Sequence, residues 1–150
     1  PHFIMLARDV TQRHQAEAAA TAAAAQFRAV IEASPVPIAI NDDAQYITFL
    51  NPAFVEVFGY DLTDIPTVTE WWPRAYPDPG YRELIRQAWL AAIDKARELG
   101  QSTIEPLHAE VTARDGRKVF VVGHMGMFGD WALVLLSEAW IKVVLAWAMN

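Results

Sequence analysis

The stretch Asn41–Tyr60, NDDAQYITFLNPAFVEVFGY, constrains the fold more than any other part of the chain. Three turn formers, Asn41-Asp42-Asp43, separate two short apolar runs, Ile38–Ile40 and Tyr46–Leu50. β-Branched and aromatic residues bounded by side chains that tolerate tight turns signal a hairpin. Directly after the second run, the side-chain oxygen of Asn51 can cap a helix, and Pro52 suits the first helical position, where no N–H is needed. Phe54, Val57 and Phe58 then share one helical face, and Gly59 is a fitting stop. The segment predicts strand, turn, strand, short helix, stop.

The rest of the chain carries similar punctuation. Thr11–Ala33 is rich in alanine, contains no Gly or Pro and stops at Ser34-Pro35, which predicts a long helix. Ala16, Ala20, Ala23, Phe27, Val30 and Ile31 form one stripe along it. Its alanine half is too thin to anchor a core but suits close helix–helix approach. A helix packed on its own domain and a parallel dimer helix both stand, the latter through Ala20, Ala23, Phe27 and Val30. The preceding run 3–7 is apolar and of open type. Residues 61–66 predict a turn or a single helical turn, and Thr69 is the expected cap of a brief helix that Pro73 ends. That region carries Trp71, Trp72 and Tyr76, aromatics that either wall a ligand or plug a core.

Asp78-Pro79 opens a second long helix, with Ile85, Trp89 and Ile93 on a broad apolar face and Gly100 as its stop. Three strands follow. Residues 103–114 alternate, with Leu107, Ala109, Val111 and Ala113 on one face. Asp115-Gly116 is a two-residue turn signal. Gly123 and Gly126 within 118–128 predict a bulge or a close backbone approach. Gly129-Asp130 leads into 131–136, the last strand.

The order of strand, Asp-rich turn, strand, NPAF and FGY resembles the front half of a PAS domain, the sensory module of bacterial signalling proteins. Residues 113–117, ARDGR, are similar to that family's central hairpin turn, and residues 127–131, MFGDW, to its last turn. Residues 7–13, ARDVTQR, resemble the exit by which one PAS unit leads into a linker helix, so the run 3–7 would end a preceding unit. The resemblance implies an α+β fold, a five-stranded antiparallel sheet flanked by helices, with an N-terminal linker or dimer helix. It divides the chain into a linker and helix (1–26), a sensory domain (27–137) and an apolar tail (138–150). The tail departs from the family, because Ser137-Glu138-Ala139-Trp140 stands where an exit is usual. The resemblance also implies a pocket between the sheet and the second long helix, surrounded by Trp71, Ile85, Trp89, Val121, Met125 and Trp131. A homodimer coupled to an output domain of a cytoplasmic parent protein, such as a bacterial histidine kinase, completes the expectation.

Composition and missing residue types narrow the chemistry. With 53% hydrophobic and 20% charged residues the chain is globular. A net charge of −6 without a Lys/Arg cluster argues against a nucleic-acid partner. The absence of cysteine removes thiolate nucleophiles, thiolate metal sites and the cysteinyl-flavin adduct. Residues 79–99 contain no histidine, which argues against haem ligation from that helix. No cofactor is the first expectation, with a non-covalent flavin or a small organic ligand near Trp71, Trp89 or Trp131 as the open alternative. His14 reads as a solvated helix residue, and His108 with His124 lacks the further ligands a metal needs.

Residues 131–149 carry only Glu138 and Lys142 as charges. Each costs roughly 2.5–3.5 kcal/mol at a bilayer centre, and the turn at 129–130 makes their start a strand, so no membrane span is expected. These features predict a sensory and dimerisation module that relays a small-molecule or partner signal, without catalysis of its own. The rivals are a ligand-free interaction scaffold with a filled core and a small cone-shaped α+β enzyme. The enzyme would need an acid/base residue inside its cavity, whereas Asp42, Asp43 and Glu56 fall on turns or outer faces.

Overall fold

The computed structural model describes residues 2–139, so the expectations for the apolar tail from 140 onward lie outside the described residues. Contacts divide the chain after Ala33 into two compact units. The first is a single helix, α1 (His2–Ala33). Alanine-rich sequence without Gly or Pro carries it unbroken to Ser34-Pro35. The run 3–7 belongs to this helix and is no strand. Ala20, Ala23, Phe27 and Val30 are all exposed on it.

The second unit is built on one antiparallel sheet. Its strands are β1 (Ile38–Asp42), β2 (Ile47–Leu50), β3 (Leu107–Thr112), β4 (Lys118–Phe128) and β5 (Trp131–Glu138), in the order β2-β1-β5-β4-β3. The chain leaves the sheet at one edge and returns at the other. The connection therefore has to cross a face, and it does so as α2 (Pro52–Phe58), α3 (Val68–Ala75) and α4 (Pro79–Glu98). The core lies there, where Phe54, Phe58, Ile65 and Tyr76 meet Val111, Val121 and Leu136. Each such side chain, fully buried, stabilises the unit by about 1.5–3 kcal/mol before entropy is counted. The period of two is visible in β3 and β4, where Ala109, Val111, Val119 and Val121 are buried.

Local signals set the element ends. Asn51 caps α2 by accepting from the Phe54 N–H at 3.0 Å, and Gly59 ends it in the left-handed region at φ 81°. The 61–66 stretch is a turn, in which Asp61 Oδ1 accepts from the Thr63 and Asp64 N–H groups at 3.0 and 3.1 Å. The Thr63 hydroxyl also bonds to it, and these donors hold the Asp61 carboxyl below its usual range. Asp78 caps α4 through the Tyr81 N–H at 2.8 Å.

Three expectations need correction. The cap of α3 is Thr67, which accepts from the Glu70 N–H at 3.2 Å, and not Thr69. Thr67 and Glu70 have the spacing of a capping box, a signal that outranks a lone threonine. Pro73 lies inside α3 instead of ending it. Proline removes one i→i−4 bond, and the helix closes within two residues through Tyr76 N–H to Trp72 C=O at 2.9 Å. Neither Gly123 nor Gly126 makes a bulge, since β4 pairs with β5 in unbroken register. Gly123 marks the other expected feature, a close approach: a Cβ there would stand 2.8 Å from the Trp89 ring. The register shift in the sheet falls instead between Ile40 and Asn41.

Candidate functional site

A cavity of about 320 Å³ lies between the sheet and the crossing helices. Its floor is a cross-strand row, Ala39 opposite Val134 opposite Met125, flanked by Ile47 and Leu136. Antiparallel register brings these three strands' side chains to one face. The opposite wall is aromatic: Trp71 and Trp72 from α3, Tyr76 just after it, and Trp89 from α4. Phe54 closes one side, its ring 5.2 Å from that of Trp71. The Trp72 and Tyr76 rings lie 5.4 Å apart. Burial pushes the Tyr76 phenol far above its ordinary pKa, against a hydrogen bond that the Trp89 indole donates to it. Tyr76 is therefore an uncharged wall.

Three polar residues border the cavity, Asn41, Gln45 and Arg86, the last two of them exposed. Arg86 is engaged with Glu83, Nε to Oε2 at 2.9 Å and Nη2 to Oε1 at 2.7 Å. That pairing holds the Glu83 carboxyl below its usual range and raises Arg86. Both side chains are half exposed, so water screens the pair and its contribution to stability is small. Gln45 sits at φ 71°, the one non-glycine residue at positive φ among the described residues. Its N–H donates to the Asp42 carbonyl at 3.1 Å, and its carbonyl accepts from the Val68 N–H at 2.9 Å. The hairpin turn is thereby tied to the start of α3.

No histidine lines the cavity, so an imidazole-ligated haem does not fit it. Without cysteine anywhere in the chain, a cysteinyl adduct does not fit either. Among the described residues no group of three or more His, Asp or Glu could hold a metal ion. His108 pairs with Val122, two residues short of His124.

Of the six residues placed around the pocket from sequence, Trp71, Trp89 and Met125 line the cavity. Ile85 does not: it sits one turn before Trp89 and is buried in the core. Val121 shares the cavity face of β4 but lies four residues from Met125, about 13 Å at strand rise, and packs in the core. Trp131 is the clear correction. Ala132, Val134 and Leu136 face the core and cavity, so alternation sends Trp131 to the other face, where it stacks on Phe128 at 4.7 Å. Strand 131–136 is apolar at every position, which hides that parity in the sequence. Gln45 and Arg86 are lining residues that sequence reasoning missed. Nothing in the local pattern marks Gln45, because a turn glutamine is ordinarily solvated.

A family model described as PAS domain matches residues 25–94, from the end of α1 into α4. The last three strands lie beyond that match, and solved structures supply them. A domain of the sensory box sensor histidine kinase/response regulator from Geobacter sulfurreducens is 22% identical with a TM-score of 0.52, covering 77% of this chain and 93% of that one. The PAS domain of the HTR-like protein from Haloarcula marismortui is 22% identical with a TM-score of 0.54, covering 83% and 98%. The sheet unit has the PAS fold, and its first half matches the PAS family in sequence.

A third PAS domain, from Colwellia psychrerythraea, is 17% identical with a TM-score of 0.58, covering 75% of this chain and 93% of its own. No curated protein matches the chain in sequence. PAS domains are sensory rather than catalytic modules of signalling proteins, and they commonly dimerise and link to output domains. Among the described residues, no helix is long and apolar enough to cross a membrane.

Proposed function

We propose that this PAS domain is a chemical sensor whose ligand occupies the cavity and whose state is relayed to an output domain in two-component-type signalling. The observation that carries the reading is the aromatic-walled cavity of about 320 Å³ between the sheet and the crossing helices. Protein interiors are close-packed, and an interaction scaffold has no need to keep such a space open. Small-molecule sites are concave, mostly apolar and furnished with a few polar groups, which is the chemistry of this lining. No carboxylate lines the cavity, which leaves a proton-transfer enzyme without its acid or base.

Relay is by linkage: a ligand that favours one packing of the helices against the sheet biases whatever those elements touch. The kinase named for the Geobacter domain makes a histidine kinase the favoured parent, with a cytoplasmic sensor spanning 27–137 after a 1–26 linker and helix. Dimerisation is assigned to α1, where Ala20, Ala23, Phe27 and Val30 recur at steps of three and four, the spacing of a two-helix seam. Native mass spectrometry of the purified chain, beside its absorbance spectrum, tests the sensor. Added mass, or apo protein that gains mass with a small aromatic probe, supports it. An apo protein that takes up no such probe favours the scaffold.

A further inference from the structure

Tyr76 borders two spaces at once. It walls the cavity between the sheet and the crossing helices, and it also borders a cleft of about 190 Å³ that has Pro77, Asp78, Tyr81, Glu110, Thr112 and Lys118 on its lining. The two spaces differ in chemistry. Around Tyr76 the cavity wall is aromatic. In the cleft, Lys118 Nζ donates to Thr112 Oγ1 at 2.8 Å and stands 3.9 Å from Glu110 Oε1. The Tyr81 hydroxyl accepts from the Glu110 N–H at 2.7 Å. Pro77, Asp78 and Lys118 are exposed, so water reaches the cleft.

The Tyr76 ring stands between them. On one side it meets Trp72, which lines the cavity and not the cleft, at 5.4 Å between centroids. On the other it meets Tyr81, which lines the cleft and not the cavity, at 6.0 Å. Only 2% of Tyr76 is exposed, and its phenol accepts a hydrogen bond from the cavity-lining Trp89. Its backbone is fixed as well, by its N–H to the Trp72 carbonyl at 2.9 Å and by its carbonyl to Arg82 Nη1 at 3.1 Å. A side chain held from both directions is a partition, and deleting it would join the apolar cavity to a polar space more than half its size. Resting on the sensor reading, we infer that Tyr76 is a specificity-determining residue: its ring ends the cavity, limits the length of the ligand and bars the ligand's far end from the polar cleft.

Isothermal titration of the full chain with 1-alkanols from butanol to dodecanol, beside the matching α,ω-diols, tests the partition. A cavity of about 320 Å³ holds on the order of ten water-sized groups. Alkanol affinity should climb about three- to fourfold per methylene, the worth of a buried CH2, and stop climbing near about ten heavy atoms. Long diols should bind at least about tenfold more weakly than the alkanols, because their far hydroxyl is buried among aromatic rings. In Tyr76→Ala the length limit should move outward and the diol penalty fall below about twofold, since the far hydroxyl then reaches polar partners in the cleft. Met125→Ala widens the cavity at its floor and should leave the diol penalty in place, which separates an opened partition from a merely larger cavity. Tyr76→Leu keeps most of the buried apolar volume, covers a failure of Tyr76→Ala to fold, and should lose the penalty too. A wild type that binds long diols as tightly as alkanols overturns the partition and leaves the sensor standing. A penalty that survives in the Tyr76 variants, or that Met125→Ala abolishes equally, overturns the role of Tyr76. A bound molecule that proves longer than the limit overturns the limit alone. No alkanol binding by a chain that purifies empty removes the sensor reading, and this inference with it.

Discussion

Asn51 is the buried polar side chain that joins the start of the sheet to the first crossing helix. Its Oδ1 accepts from the N–H groups of Ile38 and Phe54 at 2.8 and 3.0 Å, and its Nδ2 donates to the Val36 carbonyl at 2.8 Å. Asn51→Ala strands buried backbone groups as well as losing the cap, and should destabilise the domain by about 3 kcal/mol in denaturant unfolding. Thr67→Ala removes one cap bond at a half-buried site and should cost only about 1 kcal/mol in the same experiment. Asp61 illustrates the same chemistry in water. Its folded-state pKa is depressed, so its contribution is present above the ordinary aspartate value and fades as pH falls through the folded one. An NMR titration should place the Asp61 carboxyl below 3.8, and Asp61→Asn should flatten the stability profile below about pH 4.

At the scale of elements, the contact that shapes the cavity is α4 against β4. Trp89 leans so near the β4 backbone at Gly123 that no side chain fits between them. Gly123→Ala must push the indole away, toward the space it now bounds. The expected result is a loss of about 1–3 kcal/mol in thermal or denaturant unfolding, the range for overpacking, together with weaker binding of any cavity ligand. Shortening the tryptophan in the double variant, Gly123→Ala with Trp89→Leu, should recover part of the overpacking cost relative to the sum of the single changes. α3 is held differently: it is tied at its start to the hairpin turn through Val68 N–H to Gln45 C=O and Ile47 N–H to Pro66 C=O, both at 2.9 Å. Two of the wall's three tryptophans, Trp71 and Trp72, therefore stand on a segment fastened to the β1–β2 hairpin.

For the molecule as a whole, the proposed dimer is the property that a change on α1 should alter without touching the sensor. Light scattering should give twice the chain mass for the wild type and the chain mass for Ala23→Glu with Val30→Glu. The circular dichroism of the sheet should stay the same in both. A wild-type monomer at micromolar concentration removes α1 from the dimer proposal.

What the sequence determined by itself is the set of local decisions. Asn51-Pro52, Asp78-Pro79, Gly59, Asp115-Gly116 and Gly129-Asp130 state where helices begin and strands turn, because capping and positive φ depend on a residue and its near neighbours. The alternation in 107–113 likewise announces its buried face. Tertiary structure alone decided which of these elements meet. Trp131 left the cavity because the parity of an all-apolar strand is set by its partners' register, and Val121 left it because distance along β4 has no signature in composition. Gln45 joined its border because the Val68 N–H to Gln45 carbonyl bond ties the hairpin turn to the start of α3, a contact between segments that local sequence does not announce. The size of the cavity is decided the same way, by how far Trp89 can lean over Gly123, which is a property of two residues thirty-four positions apart in the chain.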